Sequence, residues 1–229
     1  MDSLYNTSEQ VSGVDARPIL SKTEKFFNSS FLEKGEYFEE LYWALKTRFF
    51  YRRFFGELGT GSRILHPMRL TNVQNIYIGN QVRINKHAFL LTVTLPGGPA
   101  PRLSIEDGCV IGHMNHITCV NEVKIGKRVL TADRVHISDN SHAFLDPNVA
   151  IRDQGIISSG KIEIGEGSWI GENASLLSCT VGRNCVVGSN AVVLGNIPDF
   201  CVVVGAPARI VRRYDVTSGS WIRVGRDQK

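Results

Sequence analysis

Aliphatic residues return every six positions through the middle of this chain: Ile105, Ile111 and Ile117, then Ile164, Ile170 and Leu176, then Val181, Val187 and Val193. Ile78 and Ile84 keep the same spacing, as do Ile125, Thr131 and Ile137. An amphipathic helix has a period near 3.6 and a half-buried strand a period of two, so neither writes this pattern. Three short flat strands of about six residues do write it, by closing a triangular coil of roughly 18 residues that stacks on the next at strand spacing. The recurring aliphatic then points into the prism, and each coil covers its neighbours. Glycine often follows it (Gly79, Gly112, Gly126, Gly165, Gly171, Gly182, Gly188), as expected where backbone turns a corner.

The repeat spans residues 61–205 of the 229, so the chain divides into a helical segment 1–60, a coil domain 61–205 and a short basic cap 206–229. From Phe31 to Leu58 the apolar residues Phe38, Leu41, Tyr42, Leu45 and Phe49 fall three and four apart, which predicts a helix ended by Gly56 and Gly59. Two stretches interrupt the coils. Thr92 to Arg102 is a Pro/Gly loop, and Ser141 to Gly160 is a longer excursion, the kind of segment that carries function on a rigid scaffold. Between Leu176 and Val181 the spacing falls to five, a tightened corner.

With 42% hydrophobic and 21% charged residues the chain has the balance of a globular protein rather than a disordered one. No apolar run is long enough for a transmembrane span, and the opening stretch lacks the pattern of a secretory signal. A net charge of +4 without a basic stripe gives no argument for nucleic acid. Five cysteines without a C-x-x-C pair fit reduced, half-buried thiols in a cytoplasmic protein.

Three segments resemble more than the bare repeat. ISDNSHAF (Ile137 to Phe144) is similar to the D-x-x-H turn of the hexapeptide-repeat acyltransferases, IEIGEGSWIGENASLL (Ile162 to Leu177) to their tryptophan-bearing coil, and IPDFCVVVGAPARIVRR (Ile197 to Arg213) to their closing segment. The resemblance is greatest to bacterial O-acetyltransferases of capsule, lipopolysaccharide and exopolysaccharide synthesis. It implies a mainly β fold, a left-handed parallel β-helix, and a homotrimer with acetyl-CoA lying between two subunits. It also implies a sugar or glycan acceptor and no metal. Carried over by motif, His142 is the general base; Asp139, three residues earlier on the same turn, or a backbone carbonyl would fix its tautomer. Trp169 walls the acetyl pocket and Asn85 meets the acceptor. Gly171, Arg183, Ala191 and Arg209 fall to the coenzyme. Relatives often place a lysine near Val193–Ile197; this chain has none, which leaves Arg183, Arg209, Arg212 and Arg213 as substitutes for the phosphate contact.

A neutral imidazole suits the proposed chemistry, because it can take the acceptor's proton as the hydroxyl attacks a thioester carbonyl. His136, inside a regular repeat, competes with His142 for that role. Three other readings stay open: an N-acetyltransferase acting on an amine, a zinc enzyme like the γ-type carbonic anhydrases (through His113 and His116), and a prism without catalysis. The aromatic and basic N-terminal helix either caps the first coil, burying its rings, or lies on a membrane surface.

Overall fold

The computed structural model describes residues 30–225. They fall into two units divided after Leu41. The first contributes the opening part of helix α1 (Phe31–Phe49). The second holds the rest of α1 and the whole prism.

The prism has three parallel faces. The first is built from Glu57–Leu58, Ile76–Ile78, Arg102–Ile105, Glu122–Ile125, Lys161–Ile164 and Thr180–Val181. Arg63–Ile64, Arg83–Ile84, Val110–Ile111, Leu130–Thr131, Trp169–Ile170, Val186–Val187 and Cys201–Val204 make the second. Arg69–Thr71, Phe89–Thr92, His116–Cys119, His136–Ser138, Ser175–Leu177 and Val192–Val193 make the third. Each strand pairs in parallel with its counterpart one coil away, which is the left-handed parallel β-helix. The aliphatic series Ile64, Ile84, Ile111, Ile170 and Val187 is fully enclosed along the second face.

Coil length is not constant. Arg63 pairs with Arg83 and Val110 with Leu130, whereas Trp169 pairs with Val186, a shorter step along the chain. The shortening sits at the corner between the third and first faces, where Ser178 takes a left-handed conformation (φ 44°). Thr131 interrupts the aliphatic column because it answers another buried polar residue. Its hydroxyl donates to Asn115 Oδ1 at 2.9 Å and accepts the Gly112 N–H at 3.0 Å. Asn115 spends its amide on the carbonyl of Ala132 at 2.8 Å, so neither polar group is stranded in the core.

The repeat glycines serve a different need from the one expected. Gly112 and Gly171 are not in the left-handed region. A Cβ at Gly112 would lie 2.1 Å from the Ala132 carbonyl oxygen, and one at Gly171 2.6 Å from the Ser189 nitrogen. Close stacking of coil on coil demands them. The left-handed corners are taken instead by Gly61, Gly108 and Gly167 and by residues such as Asn173 and Asn184.

Helix α1 also departs from expectation. It ends at Phe49, a 3-10 turn follows at Tyr51–Arg53, and the first prism strand is already in place at Glu57. The stripe that contacts the prism is Trp43, Thr47, Tyr51 and Phe55, four apart. Trp43 lies 5.4 Å from the His66 ring, Thr47 Oγ1 accepts the Ile64 N–H at 3.0 Å, and Phe55 is in the core. Tyr42, Leu45 and Phe49, of the stripe whose spacing predicts the helix, are exposed. Helical period finds apolar stripes but not which one meets a coil end, and the polar Thr47 hides the true one.

At the other end Arg209–Asp215 pairs antiparallel with Cys201–Val204, and Ser220–Arg223 pairs with Arg209–Asp215 in turn. The closing segment therefore extends the second face.

Candidate active site

The excursion is an antiparallel hairpin. Asn140–His142 pairs with Ile156–Ser158, with His142 opposite Ile156. Its base is fastened to the prism by the third face. The hydroxyl of Thr118 donates to Ser138 Oγ at 3.0 Å, and that of Ser138 donates to the Asn140 carbonyl at 3.0 Å. Asn140 Nδ2 returns to Thr118 Oγ1 at 3.2 Å. At the far foot, Ser159 N–H donates to the Asp139 carbonyl at 2.8 Å.

Asp139 is fully enclosed. One carboxylate oxygen accepts the Val120 N–H and the other the Asn121 N–H, both at 2.8 Å, and Asn140 Nδ2 adds a third bond at 3.2 Å. It clamps the preceding coil's corner under the hairpin. The Cys119 thiol is a further neighbour of the carboxylate, and none of these bonds runs to His142. The His142 side chain is exposed on the hairpin, and no hydrogen bond between its ring and another described residue is present. His142 is thus fixed by its backbone ladder and free at its ring.

His136 lies on a regular strand of the third face, half-buried, opposite His116. Their rings are 5.5 Å apart, and His116 sits 4.2 Å from Phe89. Burial lowers the pKa of both, and His116 lowers that of His136 a little more. The three rings form a ladder of neutral, partly covered groups beside the hairpin base. Sequence reading gave His136 only as a competitor and overlooked the ladder, since its members belong to successive coils and lie far apart in the chain. The signal was there in Phe89, His116 and His136 sharing one position of those coils.

The remaining candidates scatter. Trp169 is 43% exposed on the second face, between Leu130 and Val186. Asn85 is half-buried, and its Oδ1 accepts from Arg83 Nε at 2.8 Å. Gly171 is buried against the next coil. Ala191 is fully enclosed, with its N–H bonded to Gly188 and its carbonyl to Ser175, so its backbone groups serve the prism. Arg183 pairs with Asp199 at 2.9 Å and lies 5.0 Å over the Phe200 ring. Arg209 differs. It lines a groove of about 810 Å³ with Leu194, Asn196, Pro207, Val211 and Arg213, between the last coil and the closing strand. The groove joins apolar walls to two guanidiniums, a surface suited to a long ligand with an alkyl stretch and a phosphate.

The thiols lie in the core of the prism. All five cysteines are buried and unpaired. Burial pushes Cys109 and Cys185 up to about 11 and Cys179 to about 12, which keeps them protonated at neutral pH. His113 turns to Asp133, with Nδ1 3.1 Å from Oδ1, whereas His116 joins the ring ladder. Among the described residues no three His, Cys, Asp or Glu side chains gather to hold a metal.

Fold and repeat together define the class: this is a left-handed parallel β-helix built of six-residue repeats. Residues 161–195 match the family described as bacterial transferase hexapeptide (six repeats). Over 116 residues, half of this chain, the sequence is 45% identical to the "probable acetyltransferase Rv3034c" of Mycobacterium tuberculosis. Over 124 residues it is 33% identical to the "putative lipopolysaccharide biosynthesis O-acetyl transferase WbbJ" of Escherichia coli. Those stretches span 38% and 63% of the two relatives' lengths, and 50% and 51% of this chain. The solved structure of AntD, an N-acyltransferase from Bacillus cereus in complex with dTDP and 3-hydroxybutyryl-CoA, superposes on 73% of this chain and 88% of its own. With a TM-score of 0.59 and 17% identity, that likeness is one of fold.

Proposed function

We propose that this protein is an acetyl-CoA-dependent O-acetyltransferase of sugars or glycans, with His142 as general base. The observation that carries the reading is the exposed imidazole on a hairpin rooted in a rigid prism. An apolar, arginine-edged groove at the end of the same prism suits the donor. The names of the two sequence relatives point the same way. In this reading the acceptor hydroxyl gives its proton to His142 as its oxygen attacks the acetyl carbonyl, and coenzyme A leaves as the thiol. Arg209 and Arg213 meet phosphate, and Trp169 packs beside the acetyl group. A homotrimer supplies the second wall, because His142 and the Arg209 groove lie on different parts of one chain. The five buried free thiols suit a reducing, cytoplasmic setting.

The deciding assay is release of coenzyme A thiol from acetyl-CoA over a panel of sugars, nucleotide sugars and amino sugars, with products identified by mass. His142→Ala should lower kcat by about 10² to 10⁴-fold, the ordinary contribution of a general base, with donor binding and melting temperature unchanged. Turnover on amines alone would move the reading to N-acetylation. Full turnover in His142→Ala would remove the assigned base.

A further inference from the structure

The helix and turn at residues 42–54 present two faces of opposite use. Trp43, Thr47 and Tyr51 turn toward the first coil, and Phe55 follows them into the core. Tyr42, Leu45, Phe49, Phe50 and Phe54 face outward, each between 47% and 62% exposed. Phe50 and Phe54 stack at 5.0 Å, so the apolar surface is continuous at that end. Five large apolar side chains at this exposure, within so short a stretch, mark a contact surface rather than scattered residues.

The charges select the occupant. The stretch YWALKTRFFYRRF carries Lys46, Arg48, Arg52 and Arg53 and no acidic residue. Lys46 lies 4.5 Å from the Trp43 ring centroid, on the inward side. Arg48, Arg52 and Arg53 are exposed, and among the described residues none of them is in an ion pair. Aromatic rings flanked by unpaired guanidiniums, with no carboxylate between them, match the boundary between anionic headgroups and acyl chains. A protein partner of ordinary composition would call for mixed charge or a dry apolar centre.

We propose that residues 42–54 dock this protein on an anionic lipid surface, with Phe49, Phe50 and Phe54 entering the headgroup boundary and Arg48, Arg52 and Arg53 meeting phosphate. The inference stands apart from the transferase reading, since it uses no residue of the hairpin or the groove. For an enzyme whose acceptor is carried on a lipid, it would bring the prism to its substrate.

The test is cosedimentation of the full chain with vesicles of phosphatidylcholine alone and with one quarter phosphatidylglycerol, at about 50 and 500 mM salt. Binding should appear on the anionic vesicles and fall at high salt, because the Debye length shrinks from roughly 14 to 4 Å. The double variant Arg52→Glu, Arg53→Glu should lose at least about 25-fold in partitioning, from roughly fivefold per arginine. Phe49→Ser with Phe50→Ser should lose binding at both salts. These positions are exposed, and an unchanged melting curve checks that the variants fold. Wild-type protein that ignores anionic vesicles overturns the proposal, whatever the variants do. So does a phenylalanine variant whose main effect is a smaller oligomer by light scattering, which would give the face to a second copy of this chain.

Discussion

Asp139 and Asn121 are joined across a coil boundary, the Asn121 N–H donating to Asp139 Oδ2 at 2.8 Å, while Asn121 Nδ2 reaches Gly160 O at 2.9 Å. One residue of the preceding coil thus holds both feet of the hairpin, at Asp139 and at Gly160. The chain can leave the prism at Asn140 and return at Ser158 without loosening it. This is the physical support for the hairpin that carries His142, whose ring remains free.

That clamp makes Asp139 a positioning residue with a thermodynamic signature. Asp139→Asn places an amide against one of two buried backbone donors. It should cost about 1 to 3 kcal/mol, or several degrees in melting temperature. Activity should fall with it, and hydrogen exchange at Val120 and Asn121 should quicken. His142→Ala should show neither change in stability nor in exchange. Equal melting temperatures for wild type and Asp139→Asn would refute the clamp.

The ring ladder predicts a direction with pH. Burial lowers the pKa of His136 and His116, so between that lowered value and the ordinary one near 6.5 the unfolded chain binds more protons than the folded one. Their share of stability is complete above pH 6.5 and is lost as pH falls through the lowered values. Denaturant midpoints measured from neutral pH downward should drop in this window, and His136→Asn should flatten the slope. A steeper slope in the variant would reverse the assignment.

Two arginines that look alike in sequence should behave differently. Arg209→Ala should raise the KM for acetyl-CoA by roughly 5- to 30-fold, the cost of one charged contact to phosphate, with the acceptor KM unmoved. Arg183 is committed to Asp199 and Phe200, so Arg183→Ala should leave the donor KM near its wild-type value. Steady-state kinetics with the donor varied would distinguish them, and the opposite ranking would place the phosphates elsewhere.

The tightened corner carries a removable strain. Ser178 is left-handed, and its hydroxyl is buried without a hydrogen-bond partner among the described residues. Ser178→Gly relieves both terms and should stabilise the prism by about 1 kcal/mol, a rise of a few degrees in thermal melting. A lower melting temperature would show that the hydroxyl has a partner after all.

What the sequence determined by itself was the direction of burial within each coil. A six-residue return of Ile and Val admits one way of closing flat strands, so the prism, its two interruptions and the tight corner after Leu176 were legible in the chain alone. His142 was legible as a candidate as well, because it stands on the longest break in the repeat beside a motif of known kind. Tertiary structure decided what depends on contacts between coils. Asp139 looked like a partner for His142, close by in the chain, yet its carboxylate serves the backbone of Val120 and Asn121 in the coil before. Arg209 and Arg183 had equal standing until the closing strand folded back and left only one of them beside the groove. Helical period gave α1 its apolar stripes but not which stripe met the prism. These outcomes have a common cause. Periodicity records which side of a strand or helix is apolar, whereas the partner on that side is fixed by stacking. Stacking joins residues as distant as Glu122 and Lys161, or as near as Val186 and Val202, across loops of unequal length.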